Sequence, residues 1–227
     1  MIALLPMRAG SKRVPKKNIR FFNGKPLFYY VLNSLVKAHL ISKIIINTDD
    51  DEIVSLAKNF ISQNNLEGSQ IDIHNRPKSL GGDHVSMNEV IAYDLEKVQD
   101  EENFIQVHAT SPLLSSETID KAIECYFNKI DQHDSVVSVT KLQERFYDES
   151  FSPVNHSPDK LLRTQDLPPL YTENSAFYIF SRTSFYESDE KRIGKRPYYY
   201  ILNKLESTDI DEEEDFRIAE ALSLAVK

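Results

Sequence analysis

Cysteine is nearly missing from this sequence. The single one, Cys125, excludes an internal disulfide framework and suits a reducing, cytoplasmic setting. Long apolar runs are missing as well, and no stretch approaches the roughly 20 residues of a membrane-spanning helix. The opening Met-Ile-Ala-Leu-Leu-Pro lacks the basic n-region and long apolar h-region of a signal peptide. Nor is there an excess of positive charge: 35 acidic residues outnumber 27 basic ones, for a net charge of -8. That balance argues against nucleic acid as a partner, because phosphate backbones attract broadly basic surfaces. Glycine is sparse in the loop behind the first apolar run. That loop has neither the glycine spacing of a dinucleotide fingerprint nor a Gly-Lys-Ser/Thr ending.

What is present is ordinary for a soluble globular chain, 41% hydrophobic and 27% charged. Its 227 residues can bury one substantial core, as a single domain over 1–227. Ile2 to Leu5 is wholly apolar, as expected of a strand buried on both faces. Pro26 can open a helix carrying Leu27, Tyr30, Val31, Leu35 and Ala38 at helical spacing. Lys43 to Thr48 reads as a second strand, and Asp49 to Glu52 place acid at the start of a helix, where the macrodipole favours it. Strands at Ile71–Ile73, Phe104–Val107 and Ser135–Val139 alternate with helices at Val85–Val98 and Ser116–Asn128. This rhythm predicts a three-layer α/β sandwich with a mostly parallel sheet, whose carboxyl-end loops share one ligand-binding edge. It breaks between Arg145 and Leu170, where Ser152-Pro153, Ser157-Pro158 and Pro168-Pro169 mark an inserted excursion or dimerisation arm over about 142–172. Strands return at Ser175–Phe180 and Tyr198–Leu202, before a last helix bearing Phe216, Ala219, Leu222 and Val226.

Against the acidic background, Arg8, Lys12, Arg13, Lys16, Lys17 and Arg20 crowd together behind the first strand. Cations gathered locally on an acidic protein suit a small anion. Gly10 lets the backbone approach a ligand closely, while Ser11 and exposed N–H groups can grip phosphate oxygens. Arg8, Lys12 and Lys17 could neutralise a triphosphate, and Asn18 could hydrogen-bond a base or sugar. A solvated basic loop would have the same composition. Near the other end stands Asp209-Ile210-Asp211. On a strand, both carboxylates would face one point while Ile210 packs inward. Such a pair suits Mg²⁺, or Mn²⁺ in its place. The plain alternative is the edge of an acidic helix start running from Glu212 to Asp215. Asp83 and Arg76 could reach a nucleotide from the middle loops, or serve as a cap and a surface ion pair. Thr110 and Ser111 follow the fourth strand, where Thr-Ser-Pro is also an ordinary turn.

Arg8-x-Gly10-Ser11-Lys12-x-x-x-x-Lys17-Asn18 resembles the signature of the acylneuraminate cytidylyltransferases, or CMP-sialic acid synthetases. Further matches follow in order: Thr48-Asp49-Asp50, Arg76-Pro77, Leu80 with Asp83, Thr110-Ser111-Pro112-Leu113, Arg163-x-Gln165-Asp166, Asn174-x-Ala176-x-Tyr178 and Ser207-x-Asp209-Ile210-Asp211. The resemblance covers nearly the whole chain and implies a Rossmann-like nucleotidyltransferase that joins CTP to a nine-carbon 2-keto acid. It assigns Arg8, Gly10, Ser11, Lys12, Lys17, Asn18, Arg76 and Asp83 to CTP, and Asp209 and Asp211 to the metal. Arg8, Lys12, Lys17, Asp209 and Asp211 would carry the chemistry. The sugar would fall to His108, Thr110, Ser111, Arg163, Gln165, Asn174 and Tyr178. A homodimer whose excursion reaches into the partner's site is implied too.

The chain departs from the family at three places. His108 stands where glutamine is usual, Ser175 replaces a glycine, and Lys141 to Asp148 lacks the usual His-Pro pair. A histidine at a strand end is also a common structural residue. N-acetylneuraminate, legionaminate and pseudaminate all remain open as acceptors. 2-Keto-3-deoxyoctonate ranks lower, because its enzymes carry a different opening motif. Two other functions stay open: a metal-dependent glycosyltransferase using a nucleotide-sugar donor, whose Asp-x-Asp usually lies mid-chain, and a non-catalytic CTP-binding protein.

Overall fold

The computed structural model describes residues 1–10, 13–66, 70–82 and 84–225. Among them, strands β1 (Ile2–Met7), β4 (Lys43–Thr48), β5 (Ile71–Asn75), β6 (Asn103–Val107), β7 (Ser135–Leu142), β8 (Leu170–Ser181) and β9 (Pro197–Leu202) form one sheet. Its order is β5-β4-β1-β6-β8-β7-β9. β5, β4, β1 and β6 are parallel, as are β7 and β9, while β8 runs antiparallel to both neighbours.

The wholly apolar strands follow from burial on both faces. Ala3 and Leu5 of β1 and Ile44 and Ile46 of β4 enter one core, packed under α1 (Phe28–Lys37), α2 (Asp51–Gln63) and α4 (Ser116–Lys129). Ile2, Leu4 and Ile45 enter the other, beneath α3 (Met87–Lys97) and α5 (Arg182–Glu187). That period of two across an apolar run gives the three layers. The helices begin where the sequence supplies caps. Asp50 accepts from Glu52 and Ile53 N–H at α2, and Ser86 with Glu89 closes a capping box at α3.

Two readings of the sequence are corrected. Pro26 does not open α1. It lies in β3 (Lys25–Pro26), paired antiparallel with β2 (Phe21–Phe22), and the helix begins at Phe28. The cause is Asn23-Gly24, which sits at φ 44° and 83° between the two strands, the handedness a two-residue hairpin turn requires. Asp209 to Asp211 is not a strand either, but irregular chain ahead of α6 (Glu213–Ala225). The strands β7 and β8 pair as far as Leu142 and Leu170, and the irregular segment 143–169 joins them.

From β1 the chain moves to β4 on one side, whereas β6 lies on the other. A crevice opens at such a reversal, beyond the strands' carboxyl ends.

Candidate active site at the carboxyl edge of the sheet

A cleft of about 600 Å³ occupies that crevice. The turn after β1 contributes Arg8, and the following loop adds Arg13, Lys17 and Asn18. Arg76 enters from the end of β5, His108 and Thr110 from the end of β6, Ser175 from β8, and Asp209 and Asp211 from the segment before α6. Leu80, Val85, Met87 and Val90 supply an apolar wall. Four cations and two carboxylates thus share one cavity in an otherwise acidic molecule.

The cationic side is held by backbone contacts. Ala9 N–H donates to Asp49 at 2.8 Å, fixing the loop after β1 against the end of β4. Gly10 takes φ 78°, a left-handed conformation that favours glycine, beside a small recess also lined by Lys17 and Asn18. Asn18 donates to the Arg8 carbonyl at 3.4 Å. Lys17 is largely enclosed: its ammonium donates to the Ile210 carbonyl and lies 3.6 Å from Asp211. Arg13 reaches the same Asp211 oxygen at 2.8 Å. Ser11, Lys12 and Asp83 lie outside the described residues.

Ile210 is the pivot of the acidic side. It is fully buried with Val14, Phe22, Leu27 and Phe216, and its N–H donates to the Thr110 carbonyl at 3.0 Å. With Ile210 pinned inward, both flanking carboxylates line the cleft without a strand to align them. Burial raises the Asp209 pKa, and Asp211 adds to it, outweighing the opposing Thr110 hydroxyl and Lys17. Two carboxylates lining one cleft, with the charge of Asp209 disfavoured by Asp211, suit a divalent cation. Among the described residues no cluster of three or more His, Cys, Asp or Glu could hold a metal. A cation here would take its other ligands from substrate and water.

His108 is held neutral: burial, then Arg192 and Lys17, push its pKa down to about 3. Its backbone N–H donates to the Ala176 carbonyl at 3.2 Å, and Nε2 is buried with no partner among the described residues. Ser175, which stands where the family has glycine, sits at φ 57°, in the left-handed region that glycine adopts readily.

Several expected residues lie elsewhere. Ser111 is buried outside the cleft, and its N–H closes a turn onto the His108 carbonyl at 3.3 Å. Asn174 spends its amide on Thr140 and the Ala176 N–H. Tyr178 is buried under Arg192, with its hydroxyl on Glu173 and Ser175. Arg163 and Gln165 are exposed on segment 143–169, where Arg163 pairs with Asp166 at 2.7 Å. Conversely, Arg13, to which the resemblance assigns no role, lines the cleft. It falls outside the motif, and no local pattern marks it.

A family model described as "Cytidylyltransferase" matches residues 2–225. The chain belongs to the cytidylyltransferase family. It is 29% identical over 223 residues to an N-acylneuraminate cytidylyltransferase of Streptococcus agalactiae, covering 95% of this chain and 51% of that protein. A pseudaminic acid cytidylyltransferase of Campylobacter jejuni is 27% identical over 233 residues, covering 97% of this chain and 95% of the relative. The chain spans about half the length of several curated relatives it matches, the Streptococcus protein among them. Among solved structures, a CMP:2-keto-3-deoxy-manno-octonic acid synthetase complexed with CTP superposes with a TM-score of 0.68 at 14% identity, covering 100% of this chain and 99% of that one. That likeness is one of fold. Among the described residues no helix is long and apolar enough to cross a membrane.

Proposed function

We propose that this cytidylyltransferase joins CTP to a nonulosonic, sialic-type 2-keto-3-deoxy acid, releasing pyrophosphate and forming a CMP-sugar. One observation carries the reading: Arg8, Arg13, Lys17 and Arg76 line a single cleft together with Asp209 and Asp211 at the sheet's reversal. The relatives' names support the substrate class. The anomeric hydroxyl of the acid attacks the α-phosphorus. The bond from that phosphorus to the bridging oxygen breaks, and pyrophosphate leaves in line. Such chemistry depends on positioning and charge stabilisation, which the cations provide for the triphosphate and the departing pyrophosphate. Asp209 and Asp211 would hold Mg²⁺ or Mn²⁺, which when bound supplies positive charge at the α-phosphate and the attacking hydroxyl. His108, neutral and at the end of β6, offers a hydrogen bond to the sugar.

We further read the protein as a cytoplasmic homodimer. Its one cysteine is free, which suits a reducing compartment. Tyr171, Tyr199 and Ile201 are exposed at the β8–β7–β9 end of the sheet, and Phe151 and Leu161 are exposed on segment 143–169. A second copy covering these surfaces could bring Arg163 and Gln165 to the partner's cleft, to hold the sugar's carboxylate and hydroxyls.

The deciding experiment is pyrophosphate release from CTP with N-acetylneuraminate, legionaminate and pseudaminate. Release with one or more acids is expected. CTP binding with no release for any of them, or sugar transfer from a preformed CMP-sugar, would overturn the proposal.

A further inference from the structure

Behind Arg76 lies a chain of buried polar groups that the reaction outlined above does not touch. In the parallel register of β4 and β5, Asn47 stands beside His74. Both side chains therefore share one face of the sheet, where α3 presents Asp94. That carboxylate is 1% exposed. Its Oδ1 accepts from Asn47 Nδ2 at 2.7 Å and meets His74 Nδ1 at 2.7 Å. An ionised carboxylate only accepts, so the imidazole carries its proton on Nδ1. Asp94 Oδ2 has no partner among the described residues.

The Asn47 amide is engaged from both ends. While Nδ2 faces Asp94, Oδ1 accepts from Arg76 Nε at 2.6 Å, and the Asn47 carbonyl accepts from Arg76 Nη2 at 3.1 Å. Two of the three guanidinium nitrogens are thereby fixed. Nη1 has no acceptor among the described residues, and Arg76 lines the cleft. An amide without a charge behind it can turn over. Turned over, its NH₂ would oppose Arg76 Nε–H, donor against donor, and release the arginine. Asp94 forbids this, because a carboxylate cannot donate to the amide oxygen it would then meet. Asp94 and Arg76 also offset each other's buried charge across one amide, which neither could leave unpaired cheaply.

We propose that Asp94 is a positioning residue for the nucleotide half of the cleft, acting through Asn47 to fix the aim of Arg76 at the triphosphate. This rests on the cytidylyltransferase reading.

The test is calorimetric titration with CTP and Mg²⁺, without acceptor, together with steady-state kinetics and melting temperatures. The proteins are the wild type, Asp94→Asn, and the exchange Asn47→Asp/Asp94→Asn. Asp94→Asn is expected to weaken CTP binding and raise KM for CTP about 10-fold, the low end for loss of a supporting outer contact. KM for the acid and kcat should stay within about 2-fold, since neither depends on Arg76's direction to the same degree. In the exchanged protein the carboxylate meets Arg76 directly and the amide on α3 can donate to it, so most of the CTP affinity should return. A folded Asp94→Asn with unchanged CTP affinity would overturn the proposal. So would a fall in stability accompanied by equal changes in both KM values. If the single variant does not fold, the exchanged protein decides: wild-type CTP affinity supports the proposal, and a loss of about 10-fold or more defeats it. Failure of the wild type itself to bind CTP would overturn the cytidylyltransferase reading, and this inference with it.

Discussion

The ammonium of Lys17 rests on the carbonyl of Ile210 and lies 3.6 Å from the Asp211 carboxylate. Residues near the two ends of the chain thus share one contact, and the cation proposed to meet phosphate is positioned by the same residue that orients the acidic pair. Either partner should therefore be indispensable. Asp211→Ala and Lys17→Ala are each expected to depress pyrophosphate release at least ~100-fold, the scale for losing a charge-stabilising group in a transition state. Near-normal turnover in Asp211→Ala would remove it from the acidic pair.

Asp209 should show the opposite effects on activity and stability. Its raised pKa means the folded chain keeps this proton to higher pH than the unfolded chain does. The folded state therefore binds more protons in that interval, and this group's contribution to stability falls as pH rises from the ordinary carboxylate range through the raised value. Asp209→Asn should consequently melt higher than wild type at neutral pH. At pH below the ordinary aspartate range the two should converge. A variant that melts lower at neutral pH would contradict this.

For His108 the sign is reversed. With its pKa pushed down to about 3, the unfolded chain binds a proton that the folded chain refuses, so stability is lost as pH falls below the ordinary histidine range. Scans from pH 7 to 4 should show wild type losing more stability than His108→Gln. The same variant should alter the ranking among N-acetylneuraminate, legionaminate and pseudaminate. An unchanged ranking would discard the sugar contact.

Ser175 holds a left-handed backbone at φ 57°, where a side chain costs about 1–2 kcal/mol relative to glycine. Ser175→Gly should raise the free energy of unfolding by roughly 1 kcal/mol in denaturant titration. No gain would mean that the contact from the Tyr178 hydroxyl to Ser175, at 3.2 Å, offsets the strain.

Arg163 lies on segment 143–169, and Lys17 in the cleft. If each cleft borrows Arg163 from a second copy, Lys17→Ala and Arg163→Ala proteins should be individually weak but partly active after mixing and subunit exchange. Mixtures no better than the average of the two would argue against a shared site.

The sheet was legible because burial on both faces leaves its mark in composition: Ile44, Ile45 and Ile46 need no context to be read as a strand. The β2–β3 hairpin escaped notice because Pro26 was weighed as a helix opener, although Asn23-Gly24 carried the stronger local signal. Spacing alone left the acidic pair level with a helix start and the family resemblance singled it out, yet the reason both carboxylates line one cleft is tertiary. Ile210 is anchored to Thr110 and a buried cluster, neither of which Asp209-Ile210-Asp211 announces. Arg13 was invisible for the same cause, since its partner Asp211 is 198 positions away. Asn174 and Tyr178 matched a motif, but a motif does not say which way a side chain turns, and both turn inward.

Arg20 pairs with Glu213 at 2.8 Å and lies 4.2 Å over the Phe216 ring, while the Asn23 N–H donates to Glu220 at 2.8 Å. These contacts fasten the hairpin behind the first strand to α6. In vectorial synthesis the β1 loop precedes α6 by about 190 residues, so its cations meet Asp209 and Asp211 only once that helix has docked on the hairpin. Closing the cleft is therefore a long-range step, coupled to the docking of α6 rather than to the formation of β1 and its loop.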